Sequence, residues 1–323
     1  MLKMCKVSII VPVHDSERYL RACVASLTAQ THRDIEIVLV ENASSDSSLE
    51  LCRKLSETDS RIKVLHLDMG DPAYARNEGI RASEGEYIGF VDSDDTVDPD
   101  MYEQMLKLAV DKGLDVVICD LVKKYDYRSD RVEYVNDGKV TVASPMDFLK
   151  KNFKDQIAQS ACTVLCRREL FDKVQFPVGR YYEDTATTWR LLQSARTAGH
   201  IARPFYHYYR HSGSIVHTAS FKIHYGHVLA DIERVDFINS CPEFSEAERH
   251  DLASRPMALF YRHFKKMVKL AETEEEKEIC RNCRDWAMSV PDGYRLKFRY
   301  NMIRISVCRC WKMFCLLQRR EIL

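Results

Sequence analysis

The sequence predicts an α/β fold, a mostly parallel central sheet in three layers followed by a helical C-terminal region. Three observations carry this. Short apolar runs recur through the first 120 residues, and stretches with apolar residues at helical spacing separate them. Past about residue 218 only the helical periodicity continues.

The elements follow in order. Residues 7–11 (Val-Ser-Ile-Ile-Val) and 35–40 (Ile-Glu-Ile-Val-Leu-Val) are the first two strands. Between them, Tyr19, Leu20, Cys23, Val24 and Leu27 keep helical spacing, so the whole has the size of a βαβ unit. The pattern repeats with a helix over 45–58, capped by Ser44, Ser45 or Asp46, and a strand over 62–67. A short helix over 73–83 ends at Glu84-Gly85 and leads into a strand over 86–91. A helix over 99–112 stops at Gly113, and a fifth strand begins at 115–119. Open sheets of this kind bind ligands beyond the carboxyl ends of their strands, where the loops 12–16, 41–46 and 92–95 fall.

Beyond residue 120 the pattern loosens. Lys123–Asp137 reads as a hairpin or flap, 145–153 as a helix, 162–166 as a short strand and 168–173 as helix-like. Phe176 to Asp184 leads into a helix at about 185–197, and Phe205–His211 alternates aromatic and basic residues. Helices are expected at 219–239, 245–271, 273–288 and 293–319. The domain change is placed near 215–220, giving a domain over 1–217 and a helical region over 218–323.

Composition excludes several classes. Lys plus Arg and Asp plus Glu number 48 each among 323 residues, so no charge bias points to nucleic acid. Twelve scattered cysteines suit a reducing compartment; Cys280-x-x-Cys283 and Cys308-x-Cys310 lack the remaining ligands of a zinc site. The apolar run at 7–11 is too short for a signal-peptide core, and no stretch approaches 18 apolar residues. A cytoplasmic location is expected.

The run Tyr87-Ile88-Gly89-Phe90-Val91-Asp92-Ser93-Asp94-Asp95 ends an apolar strand in three carboxylates within four residues. Crowded carboxylates raise one another's pKa unless a cation sits among them. Mg²⁺ or Mn²⁺ takes such oxygen ligands and shares them with substrate phosphates. The alternative is an acidic cap for the helix after Pro99, which needs only one of the three acids.

Four more segments join this run. Val7-Ser8-Ile9-Ile10-Val11-Pro12-Val13-His14-Asp15, Ser26 to Thr31, Ile37 to Asp46, and Ala75-Arg76-Asn77-Glu78-Gly79-Ile80 stand in order before it. Together, over residues 7–212, they resemble the family 2 inverting glycosyltransferases of bacterial surface-polysaccharide synthesis. The resemblance implies a GT-A fold, a Rossmann-like domain that binds a nucleotide-sugar with Mn²⁺ or Mg²⁺. It implies that Pro12 and Val13 border the base and ribose, and that Glu41 and Asn42 contact the nucleoside. Arg76 matches a nucleotide-contacting arginine, with Asn77 packing the same loop. Asp92, Ser93 and Asp94 form the DxD signature, with Asp94 near the ribose or diphosphate and Asp95 the direct metal ligand. Asp184, of the pair Glu183-Asp184, would be the catalytic base. Arg210 is the expected phosphate contact, and His207 or His211 would complete the metal shell. The sequence departs from the family at Glu41-Asn42, often two aspartates, which weakens the case for any one nucleobase. It departs again at His14-Asp15, which either reshapes the pocket mouth or keeps its turn.

The implied activity is that of a hexosyltransferase moving sugar from a UDP-sugar to a hydroxyl of a glycan or lipid-linked acceptor, on lipopolysaccharide core, O-antigen or capsule. The chemistry asks for the same residue types: a cation to offset charge on the departing diphosphate, and one carboxylate to take the acceptor proton. A sugar nucleotidyltransferase would carry a Gly-rich basic loop after the first strand, which Pro12 to Ser16 lacks. A nucleotide-sugar-binding module of an assembly complex would need no base.

In the last helix Leu296, Tyr300, Ile303, Val307, Trp311 and Phe314 form an apolar stripe flanked by bases, with no acid between Asp292 and Glu321. Such a helix either lies on an anionic membrane, at its inner cytoplasmic face, or docks on its own domain. Whether helices 245–271 and 273–288 form a homodimer stays open.

Overall fold

A computed structural model describes residues 6–125, 129–132, 134, 136–210, 220–291, 293, 294, 296, 298–309, 311, 314 and 315. The chain divides into two compact units. The first comprises Met1–Asn152, Gln156–Gly179 and Thr187–Ser212; the second comprises Phe153–Asp155, Arg180–Ala186 and Gly213–Leu323. Two short stretches inside the first 217 residues therefore cluster with the C-terminal helices.

In the first unit, β1 (Val7–Val13), β2 (Ile35–Asn42), β3 (Ile62–Leu67) and β4 (Tyr87–Phe90) pair in parallel in the order β3-β2-β1-β4. Val7, Ile9, Ile10 and Val11 are wholly buried, as a central strand covered on both faces requires. The crossovers are α1 (Leu20–Thr28), α2 (Ser48–Thr58) and α3 (Pro72–Ala82). Residue 79 of α3 must be glycine, because a Cβ there would lie 2.5 Å from Ile10 Cγ2. That close approach lays α3, with Arg76 and Asn77, directly on the sheet. Pro12 is tolerated inside β1 for a local reason. Val91 N–H donates to Ile10 O, so Pro12, two residues on, faces the same side beyond the end of β4.

The rest of the sheet is less regular. β5 (Thr96–Val97), α4 (Met101–Lys112), β6 (Val116–Tyr125), β7 (Arg131–Val132), β8 (Val140–Ala143) and α5 (Pro145–Phe153) follow β4. β9 (Val164–Arg167) runs antiparallel between β4 and β6, and β10 (Ala198–Arg210) runs parallel to β6. The strand expected at 162–166 thus starts later, after a 3₁₀ turn at Ala161–Thr163, and the helix-like 168–173 is a 3₁₀ turn at Arg168–Asp172. In the stretch 123–137, expected as a hairpin or flap, β7 pairs antiparallel with β6 at Val122↔Val132 and Lys123↔Arg131, while residues 126–128, 133 and 135 lie outside the described residues. Gly113 ends α4 in the left-handed conformation, as read from the sequence. The N-cap position of α2 is Ser47, one residue past the last of its expected caps, and Asp46 accepts from Ser48 N–H.

α6 (Glu183–Ser194) begins in the second unit and ends in the first. The second unit is otherwise helical: α7 (Phe221–Ser240), α8 (Glu246–Leu270), α9 (Glu274–Ser289) and α10 (Phe298–Arg309). Capping boxes at Ser245/Glu248 and Thr273/Glu276 start α8 and α9. Tyr300, Val307 and Phe314 are buried, and Trp311 and Phe314 stack on Phe264 of α8 at 6.0 and 6.5 Å. The apolar stripe of the last helix therefore faces its own bundle rather than standing free for a membrane. Among the described residues no helix is long and apolar enough to cross one.

One buried carboxylate ties the amino-terminal end of the sheet together. Glu36 of β2 accepts from Ser8 Oγ and from the N–H groups of Glu84 (2.5 Å) and Gly85 (3.0 Å), and it forms an ion pair with Lys63 Nζ (2.8 Å). Burial raises its pKa, but Lys63, Ser8, Glu84 N–H and Lys6 outweigh burial and hold it at about 2, below its ordinary 4.5. A lowered carboxyl stabilises the fold above pH 4.5, and that contribution is lost as pH falls toward 2. Glu36→Gln should therefore melt below the parent at neutral pH and show a flatter melting temperature between these two pH values. Thermal scans across pH check this, and parallel curves would contradict it.

Candidate active site

Strand order reverses between β1 and β4, and the loops beyond their carboxyl ends meet there. Ser16 joins three of them: its N–H donates to Ser48 Oγ (2.8 Å) and its Oγ lies 2.7 Å from Ser93 Oγ. His14 Nδ1 lies 2.8 Å from Asn42 O, and Ser45 N–H donates to Asp15 Oδ1 at 2.7 Å. Asp15 (φ 47°) and Ala43 (φ 58°) adopt left-handed backbone conformations that non-glycine residues seldom take. His14 and Asp15 thus keep the turn that knits the first two loops.

Glu41 is buried, accepting from Ser44 N–H (2.7 Å) and facing His66 Nδ1 (2.5 Å). Burial raises its carboxyl, but those two neighbours together hold it below its ordinary value. Its oxygens are engaged inside the protein. The adjacent Asn42 is also buried, and its Oδ1 has no hydrogen-bond partner among the described residues.

The three carboxylates of the acidic turn occupy different environments. Asp92 is half-exposed and accepts from Arg76 Nη2 at 2.7 Å. Arg76 is buried over the Phe176 ring, and Asn77 exchanges two hydrogen bonds with the backbone of Phe176. Asp94 is half-exposed. Asp95 is wholly buried: Oδ2 accepts from Tyr206 Oη (2.6 Å) and Oδ1 from Tyr209 N–H (2.7 Å). Burial, then the charges of Asp94 and Asp92, push the Asp95 carboxyl well above its ordinary value, against the pull of those two hydrogen bonds. Tyr206 Oη also accepts from Asp92 N–H at 3.1 Å, so one phenol fixes both ends of the turn. None of the three acids caps α4: its N-cap position is Asp100, whose carboxylate binds Arg203.

Alternation along β10 sends neighbouring side chains to opposite faces. Tyr206 points to the acidic turn; burial and then those carboxylates raise the Tyr208 pKa, which the Arg210 guanidinium, 5.8 Å from the Tyr208 ring, lowers. Tyr206, Tyr208 and Arg210 share this face. His207 turns away, with Nε2 2.9 Å from Asp98 and Nδ1 3.4 Å from Thr96 Oγ1. Both ring nitrogens are thus directed at protein groups rather than at the acidic turn. His211 lies outside the described residues. Asp184 belongs to the second unit, half-buried in the first turn of α6, where Oδ1 accepts from Thr185 N–H at 2.6 Å.

A family model, glycosyl transferase family 2, matches residues 8–175, more than half of the chain. The chain belongs to glycosyltransferase family 2. Its relatives include glycosyltransferase GlyG of Streptococcus pneumoniae, 31% identical over 301 residues, covering 85% of this chain and 93% of GlyG. The putative glycosyltransferase EpsH of Bacillus subtilis is 32% identical over 215 residues, 65% of this chain and 62% of EpsH. This family 2 chain thus spans less than two thirds of EpsH. Among solved structures, S. aureus TarS 1-349 in complex with UDP superposes with a TM-score of 0.68 at 20% identity, covering 97% of this chain and 87% of that one. At that identity the likeness shows the fold, which is GT-A.

The donor set admits a divalent cation in a limited way. Among the described residues no three His, Cys, Asp or Glu side chains are arranged to hold an ion. The turn offers Asp94 beside two further carboxylates, the hard-oxygen setting in which Mg²⁺ or Mn²⁺ takes its remaining ligands from phosphate and water. Asp95 is the buried anchor of the turn. Sequence reading missed Tyr206; the period-two run Tyr206, Tyr208, Arg210 was its signal. Tyr206→Phe leaves a buried carboxylate oxygen and the Asp92 N–H each short of a partner. It should lower the unfolding free energy by about 1–3 kcal/mol. Urea unfolding measures this, and a loss under about 0.5 kcal/mol would contradict the anchoring role.

Proposed function

We infer that this family 2 glycosyltransferase moves a sugar with inversion from a UDP-sugar to a hydroxyl of a glycan or lipid-linked acceptor in surface-polysaccharide synthesis. The observation that carries this reading is the acidic turn at the sheet's switch point, with Asp95 buried as its anchor and Asp94 left half-exposed. TarS structures bound to UDP and to UDP-GlcNAc support the donor class. The mannosyltransferase PcManGT in complex with GDP-Man and Mn²⁺, at a TM-score of 0.51, agrees in fold. O-antigen biosynthesis protein RfbC of Myxococcus xanthus, 31% identical over 207 residues, supports the acceptor class.

The family resemblance implies the roles, and the chemistry of the reaction suits them. Pro12 and Val13 border the base and ribose, and the Asn42 amide, able to donate and accept, meets the nucleoside. Arg76 holds Asp92, and Asp94 is the carboxylate that would hold Mn²⁺ or Mg²⁺ against the diphosphate. When bound, that cation offsets the charge developing on the leaving phosphate. Arg210 forks onto phosphate oxygens. Asp184 takes the proton of the acceptor hydroxyl as its oxygen bonds to the anomeric carbon and the bond from that carbon to UDP breaks. One base and no covalent nucleophile give inversion. The bases of the C-terminal segment draw the enzyme toward anionic lipid bearing the acceptor.

Asp184→Asn should bind UDP within a few-fold of the parent while transfer falls by about 10²–10⁴-fold. Calorimetry and initial rates separate the two, and normal turnover would refute the base. Asp94→Asn should abolish the response of the rate to added Mn²⁺, which a Mn²⁺ titration of turnover checks; an unaltered response would refute the cation role.

A further inference from the structure

The three residues that precede Glu183-Asp184 are gripped by α7, all within the second unit. Arg180 forms a two-pronged ion pair with Glu233, at 2.8 and 2.7 Å. The backbone of Tyr181 lies on Gly226, where a Cβ would come 2.4 Å from the Tyr181 carbonyl oxygen, so only glycine permits the approach. Tyr182 meets the His227 ring edge to face at 4.4 Å. His227 is itself fixed from two sides. Asp231 Oδ2 lies 2.9 Å from its Nδ1, and His263 of α8 stacks flat on it at 3.7 Å. Burial first, and then their charged neighbours, push His263 down to about 2 and His224 to about 4. Both therefore remain neutral rings near neutral pH.

The grip falls on a strained point. Tyr182 has φ 61°, a left-handed conformation rare for a bulky residue, and such strain persists only where the surroundings over-determine it. Its carbonyl accepts from Ala186 N–H at 3.1 Å, so Tyr182 sets where α6 starts and in which direction its first turn faces. Asp184 lies two residues on. We propose that the Gly226, His227 and Glu233 side of α7 is a positioning element for the reaction, holding the 180–182 turn so that the Asp184 carboxylate is aimed at the acceptor hydroxyl. This rests on Asp184 being the base, and it needs none of the three α7 residues to touch substrate. A misplacement of about 1 Å can cost about 10²-fold in rate.

The test uses the full chain as Gly226→Ala, His227→Ala, His227→Phe and Asp184→Asn. UDP affinity is measured by calorimetry with Mn²⁺. The kcat and KM for UDP release are measured on whichever of UDP-glucose, UDP-galactose and UDP-GlcNAc the parent hydrolyses fastest. Gly226→Ala and His227→Ala should lose at least about tenfold in kcat, with KM and UDP affinity within about threefold of the parent. His227→Phe restores a ring edge against Tyr182 and should recover most of the lost kcat. Normal kcat in both variants beside an inactive Asp184→Asn would overturn the positioning role alone. So would losses matched by equal losses of UDP affinity, or absence of rescue in His227→Phe. Normal turnover in Asp184→Asn would overturn the base and the positioning role together. Should either α7 variant fail to fold, Glu233→Gln loosens the same turn and is held to the same outcomes.

Discussion

The burial of Asp95 is the constraint on which the candidate site depends. A carboxylate with no solvent exposure is costly unless its oxygens are satisfied. Here Tyr206 Oη and Tyr209 N–H satisfy it, and both come from β10, more than a hundred residues further along the chain. The same phenol binds Asp92 N–H. The turn 92–95 is therefore shaped by pairing at the far side of the sheet, where β5 joins β10 at Val97↔Tyr206. Its solvent-facing acids, Asp92 and Asp94, are placed by an acid that faces inward.

A second tier of contacts supports this one. Gly79 brings α3 onto β1 and β2, which sets Arg76 beside Asp92. Ser16 reaches Ser48 and Ser93 and so joins the loops after β1, β2 and β4. Among the described residues, three of the four left-handed non-glycine residues, Asp15, Ala43 and Tyr182, sit beside expected site residues. Strain of this kind concentrates where side chains must be aimed rather than merely packed.

Much of this was legible in the sequence. The β1 to β4 half was readable because each strand is buried on both faces and each crossover helix carries an apolar stripe, patterns local to a few residues. The acidic run announced itself by its charge density. The unreadable parts depend on distant pairing. Nothing local makes Val164–Arg167 antiparallel between β4 and β6, and β5, with two residues, is too short to show a period. The resemblance gave Asp95 to the metal; that Asp95 is the buried acid of the three depends on β10 and is not written in the local sequence. His207 looked like a ligand until the alternation of β10, fixed by Tyr206, turned it toward Asp98. The last helix displayed a membrane-like stripe, and only Phe264, nearly fifty residues before Trp311 and Phe314, shows where that stripe packs.

The central claim is a nucleotide-sugar site organised by this acidic turn. Its most direct test is nucleotide release by the full chain from UDP-, GDP- and CDP-sugars, each with Mn²⁺, with Mg²⁺ and with a chelator. The account predicts release from a UDP-sugar with either cation and none with the chelator. Equal rates in the chelator, or turnover of GDP- or CDP-sugars alone, would contradict it.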